Sequence, residues 1–229
     1  LIRDLQKEKN LEQAKLLQRF FKTGKGEYGE GDIFIGIKVP VTRSIAKKYT
    51  GLNLKSIEML LNSKVHEYRL AGLLILVEKF KAADEKNRGD IFNFYLKNTR
   101  RINNWDLVDL SAHKIIGEFL IDKDKKIIYE LASSKNIWEK RIAIISCFAY
   151  IKDEELKDAL RISEILLNDK HDLIHKAVGW VLREVGKKNQ EVLEDFLKKH
   201  CKEMPRTMLR YSIEKFPEKL RKAYLNGEV

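Results

Sequence analysis

The residues best suited to chemistry lie in Asn103-Asn104-Trp105-Asp106-Leu107-Val108-Asp109-Leu110. Asparagine ahead of an apolar run is a helix start, so Asn103 or Asn104 caps a helix with Asp106 in its first turn, where a carboxylate suits the dipole. Trp105 and Asp109 are then one turn apart and share a face, while Leu107 and Val108 turn toward the core. An exposed indole beside a carboxylate is costly without a ligand; packing of the indole into the core is the other reading of this spacing. Trp180 with Arg183, and Trp138 with Arg141, recur at i,i+3. Aromatic faces beside guanidinium groups suit sugars and bases next to phosphates. Plain core packing is the rival reading, and it fits Trp138 best.

Other patterns carry less. Gly24-Lys25-Gly26-Glu27-Tyr28-Gly29 matches G-x-G-x-x-G, but a helix precedes it and acidic Glu30 and Asp32 follow. A dinucleotide site needs a strand entering the loop and a helix leaving it, so the segment reads as a loop presenting Tyr28. His171 and His175 are one turn apart, yet the glutamate of a metalloprotease motif and a further ligand are missing; a polar helix start explains them. Neither G-x-S-x-G nor a P-loop occurs.

These residues must be held by helices. Apolar residues recur at helical spacing over 2–22, Thr23 to Gly31 forms a Gly-rich loop, and Pro40 falls in the first turn of the next helix. The polar links Asn62-Ser63-Lys64, Ser133-Ser134-Lys135 and Asn168-Asp169-Lys170 each precede a helix carrying a basic residue: Arg69, Arg141 and Lys176. Their anchor positions 64, 135 and 170 are 71 and 35 residues apart. A period near 35 adds units at Thr99-Arg100, ahead of Trp105, and at Pro205, ahead of Arg210. Helix pairs at this spacing predict an all-α fold, a curved α-α superhelix (solenoid) of HEAT-like repeats forming one domain over residues 1–229.

Composition agrees. With only three prolines and twelve glycines in 229 residues, an all-β chain is disfavoured. Two cysteines without a CxxC exclude zinc ribbons and disulfide frameworks, which fits a reducing compartment. Neither a membrane-span-length apolar run nor a signal peptide is found. The 45 Lys+Arg against 34 Asp+Glu leave a net charge of +11, which points to a polyanion, nucleic acid before membrane. Lys38, Arg43, Lys47 and Lys48 stand together without an acid, and 197–224 is also strongly basic; a solvated face accounts for either stretch equally well.

Taken together, Phe21-Lys22-Thr23-Gly24 with Gly26-Glu27-Tyr28-Gly29-Glu30-Gly31-Asp32, Phe34-Ile35-Gly36-Ile37-Lys38-Val39-Pro40, Asn104 to Asp109, Ile137-Trp138-Glu139-Lys140-Arg141 and Lys176 to Glu184 resemble the AlkD-type family of DNA alkylation-repair glycosylases, in family order and over nearly the whole chain. The resemblance implies a HEAT-like fold and hydrolysis of the N-glycosidic bond of cationic N3- or N7-alkylated purines in double-stranded DNA. It implies that Asp109 is the catalytic carboxylate, that Trp105 and Trp180 are the active-site indoles, and that Arg141 and Arg183 grip the DNA backbone. Tyr28, Lys38 and Arg43 fall where the family meets DNA. No metal and no cofactor are implied, and a cytoplasmic monomer is expected. A non-catalytic binder of DNA structure and a protein-binding repeat scaffold are the competing functions.

Overall fold

In the computed structural model, which describes residues 1–229, helix starts follow side-chain chemistry. The amides of Asn10, Asn53, Asn104, Asn136 and Asn189 and the carboxylate of Asp84 each accept a hydrogen bond from a backbone N–H of the helix they open. Each satisfies one of the N–H groups that a helix N-terminus leaves without a partner. The chain forms two compact units, Leu1–Ser111 and Ala112–Val229. The expected all-helical class holds, and the one β feature is an isolated parallel bridge between Ile33 and Val65.

The first unit contains α1 (Ile2–Lys7), α2 (Leu11–Phe20), α3 (Val39–Lys47), α4 (Leu54–Leu61), α5 (His66–Ala82), α6 (Glu85–Lys97), a 3-10 turn (Thr99–Arg101) and α7 (Trp105–Asp109). Its axis is α5, which is buried on every side from His66 to Val77. A helix with no solvent-exposed face belongs at the centre, and α3, α4, α6 and α7 all pack on it. The predicted helical stretch over 2–22 divides into α1 and α2, with Asn10 capping the second.

The second unit opens on a π-turn (His113–Gly117). It continues with α8 (Lys126–Ala132), α9 (Ile137–Ser146), α10 (Phe148–Lys152), α11 (Lys157–Ile165), α12 (Asp172–Lys188), α13 (Gln190–His200), α14 (Arg206–Ser212) and α15 (Glu218–Asn226). Here α12 is central, packed by α9, α10, α11, α13 and α14. Gly179 permits its approach to α14, because a Cβ there would lie 2.5 Å from Tyr211 Cβ and 2.6 Å from the Met208 carbonyl oxygen.

The three links used to set the period each join two packed helices, α4 with α5, α8 with α9, and α11 with α12. The unit expected at Thr99-Arg100 is irregular: a 3-10 turn stands there and α7 starts only at Trp105. No helix is long and apolar enough to cross a membrane. Trp138 is buried, as its packing reading requires.

Candidate functional site

Helix α7 presents the Trp105–Asp109 pair outward. Asn104, in extended backbone, accepts the Trp105 N–H at 2.8 Å and starts the helix. Leu107 and Val108 are fully buried, which leaves Trp105 and Asp109 half-buried on the other face. At the far end, Ser111 Oγ donates to the Leu107 carbonyl at 2.6 Å and pairs at 2.8 Å with the buried Tyr95 hydroxyl.

A column of rings runs from Trp105 into the core. Trp105 stacks on Phe21 (4.9 Å between centroids, 13° between planes), Phe21 stacks on Phe34 (4.8 Å, 21°), and Phe34 stacks on His66 (4.3 Å, 21°). Phe20 stands edge-on to the Trp105 ring at 5.8 Å while remaining 64% exposed. The indole therefore has one face on Phe21 and an exposed aromatic neighbour on its rim.

The inner end of the column is a buried ionic cluster. His66 is 1% exposed; its Nδ1 lies 3.2 Å from Asp32 Oδ2 and its Nε2 lies 2.8 Å from Asp106 Oδ2. Arg69 Nη2 donates to Asp32 Oδ2 at 2.6 Å, and Asn104 Nδ2 reaches the same oxygen at 3.4 Å. Burial by itself pushes the His66 pKa down, but the Asp106 and Asp32 carboxylates outweigh it and raise it to about 8. Burial likewise acts to raise Asp32, and its bond to His66 and the Arg69 charge overcome this and hold it below the usual carboxylate range.

The loop before α3 is tied to the same core. Gln18 donates to the Asp32 carbonyl (3.0 Å) and accepts the Phe34 N–H (2.8 Å). The buried Glu67 carboxylate accepts the N–H groups of Ile35, Gly36 and Ile37 at 2.8–3.2 Å. Gly36 takes a positive φ of 88°, with Asn10 O only 2.0 Å from where a Cβ would stand, so glycine is required. The Gly-rich segment closes on itself: Gly24 and Gly26 N–H groups, which a phosphate cradle would present, are each accepted by a carboxylate, of Glu27 and Glu30 respectively, at 2.8 Å. Tyr28 is half-buried in that loop, Lys38 is exposed at the cap of α3, and Arg43 is half-buried on α3.

In the second unit, Trp180 is half-buried on α12 with its ring 4.7 Å from Phe148. Arg183 is ion-paired with Glu214 through Nη1 and lies 3.5 Å from Glu184 through Nε. Arg141 departs from a surface role. It is 5% exposed, and its Nη1 donates to the Leu173 carbonyl at 2.6 Å, so it braces α9 against the first turn of α12. His171 caps α12 by accepting the Leu173 N–H, and His175 Nε2 donates to the Asp169 carbonyl at 2.6 Å. Both imidazoles of that pair are thus engaged with the backbone.

The sequence shows Asp32 only as an acidic residue just after the Gly-rich loop and Asp106 as a first-turn carboxylate, and it joins neither to His66. No periodic pattern links them, because the partners are 34 and 40 residues from His66.

The fold is all-helical, it sets an indole–carboxylate pair on α7, and the chain carries a net charge of +11, the sign that a polyanion partner requires. The chain belongs to the DNA alkylation repair enzyme family, whose model matches residues 1–216. It is similar in fold to a protein of Enterococcus faecalis described as a predicted DNA alkylation repair enzyme, with a TM-score of 0.73 and 17% identity over 92% of this chain and 98% of that one. It is also similar to AlkD2 from Streptococcus mutans, with a TM-score of 0.58 and 18% identity over 90% of this chain and 98% of the other. Among curated proteins, none matches.

Proposed function

We propose that the chain is a DNA glycosylase that hydrolyses the N-glycosidic bond of cationic N3- or N7-alkylated purines in duplex DNA. The supporting observation is the Trp105–Asp109 pair, set outward on α7 with its indole backed by Phe21. Alkylation at N3 or N7 places positive charge on the base and weakens its bond to the sugar, so departure needs little protonation. Positive charge then develops on the deoxyribose, the charge type that carboxylates stabilise in glycoside hydrolysis. In this reading Asp109 supplies the countercharge and holds the attacking water. Trp105 lends its π face to the sugar cation, an effect of about 0.5–2 kcal/mol, and Trp180 on α12 offers a second half-buried indole for DNA.

Phe20 adds an aromatic surface for the DNA next to Trp105. Arg183, Tyr28, Lys38 and Arg43 serve the phosphates in this proposal, with Glu214 giving way to the phosphate at Arg183. Arg141 acts instead by holding α12.

The test is incubation of the full chain with methylated duplex DNA, followed by mass analysis of the small-molecule fraction. Free 7-methylguanine or 3-methyladenine above the no-protein control, with abasic sites left in the strand, is the expected result. Restoration of intact guanine or adenine within the strand would replace glycosidic cleavage with direct reversal. Binding to DNA without any change in it would favour the non-catalytic reading.

A further inference from the structure

The chemistry proposed above uses the outer end of the ring column and leaves its inner end, the buried ionic cluster, without a role. Both nitrogens of His66 face carboxylate oxygens, at 3.2 Å and 2.8 Å. Only the doubly protonated ring donates to both; a neutral ring turns a lone pair toward one of the two carboxylates. The groups around it are Asp32 from the loop before α3, Asp106 from α7, Arg69 from α5, and the Phe21 and Phe34 rings. The neighbouring Glu67 is turned away to the N–H groups of residues 35–37. With the imidazolium present, two positive groups balance two carboxylates; without its proton the buried cluster carries a net negative charge, which is costly at this burial.

Both carboxylates also bear on α7. Asp106 is in its first turn and accepts the Leu107 N–H at 2.8 Å, while Asp32 receives Nδ2 of Asn104, the residue that caps the helix. Whichever tautomer the neutral ring adopts, the strain therefore falls on the start of α7. That helix has five residues, and Trp105 and Asp109 are its first and last, so a shift in its first turn moves both.

We propose that His66 is a positioning residue for the reaction: as an imidazolium bridging Asp32 and Asp106 it holds α7 in place, and loss of its proton displaces Trp105 and Asp109 together. This rests on the glycosylase reading, so the experiment carries two readouts. The first is the fluorine NMR spectrum of the full chain labelled with 5-fluorotryptophan, with the Trp105 signal assigned from Trp105→Phe. That signal moves in one titration with a midpoint near 8, and the titration is lost in His66→Gln. The second is base release: kcat falls by about tenfold or more between about pH 7 and pH 9.5 with KM little changed, following the same ionisation.

Asp106→Asn keeps an acceptor for Nε2 and removes a charge that raises the His66 pKa. It shifts both midpoints to lower pH, and it carries the test if His66→Gln does not fold. A Trp105 signal that stays still while His66 titrates, or an unaltered titration in Asp106→Asn, overturns the proposal. Absence of base release at every pH would count against the glycosylase reading, and the NMR titration would still decide the coupling.

Discussion

Replacing Gly179 with alanine sets two effects of known sign against each other. Alanine in a helix interior is favoured over glycine by about 0.5–1 kcal/mol. Against this, the new Cβ would lie 2.5 Å from Tyr211 Cβ and 2.6 Å from the Met208 carbonyl oxygen. Neither is the far end of a flexible side chain, so α12 and α14 must move apart by close to an ångström. Overpacking of that kind costs about 1–3 kcal/mol, and a net loss of about 1–2 kcal/mol follows.

Gly186→Ala is the control on the same helix. Its Cβ meets Leu193 Cδ2 at 2.4 Å, the tip of a leucine that has other rotamers. There the gain in helix propensity offsets most of the clash, and the change stays within about 1 kcal/mol. Urea unfolding of the three proteins, with equal m-values as the check on two-state behaviour, ranks them. Gly179→Ala as stable as wild type, or more stable than Gly186→Ala, would refute the close-approach argument. Since Trp180 is the adjacent residue, Gly179→Ala also lowers base release at temperatures where the protein remains folded.

Two further outcomes follow from the same geometry. His66 is raised when folded, from 6.5 to about 8, so its stabilisation is complete below pH 6.5 and is lost as the pH climbs through 8. By linkage the loss amounts to about 2 kcal/mol, read as a difference in urea-unfolding free energy between about pH 6 and pH 9.5 that shrinks in His66→Gln. Phe20→Ala, at a site 64% exposed, changes stability by no more than about 0.5 kcal/mol. The same substitution raises KM for methylated duplex by about fivefold or more, as loss of a base-stacking surface does; an unchanged KM would remove Phe20 from the DNA contact.

What the sequence made legible was local. Asparagine ahead of an apolar run marked the start of α7, and the buried Leu107 and Val108 explain why Trp105 and Asp109 were expected on the opposite face. Arg141 shows where such reasoning stops. Its spacing from Trp138 is the same as that of Arg183 from Trp180, but α9 is buried from Arg141 to Ser146, and periodicity has no outer face to reveal when neighbours cover the helix on all sides. The Gly-rich stretch read as a loop, and it is one, but it is closed by Glu27 and Glu30 through bonds that glycine content does not signal. The Asp32–His66–Asp106 cluster joins three distant segments through single side chains, so only the folded arrangement discloses it.

The central claim is that Asp109 stabilises the charge that develops on the sugar, and a single-turnover comparison of wild type with Asp109→Asn tests it most directly. The substrate is a duplex bearing 7-methylguanine at one position, with protein in excess and the spontaneous loss subtracted. Asparagine keeps the shape and removes the charge, so release should slow by about a hundredfold or more, as when an electrostatic stabiliser is deleted, while affinity for the duplex stays within about twofold of wild type. Release by Asp109→Asn at the wild-type rate would contradict the account.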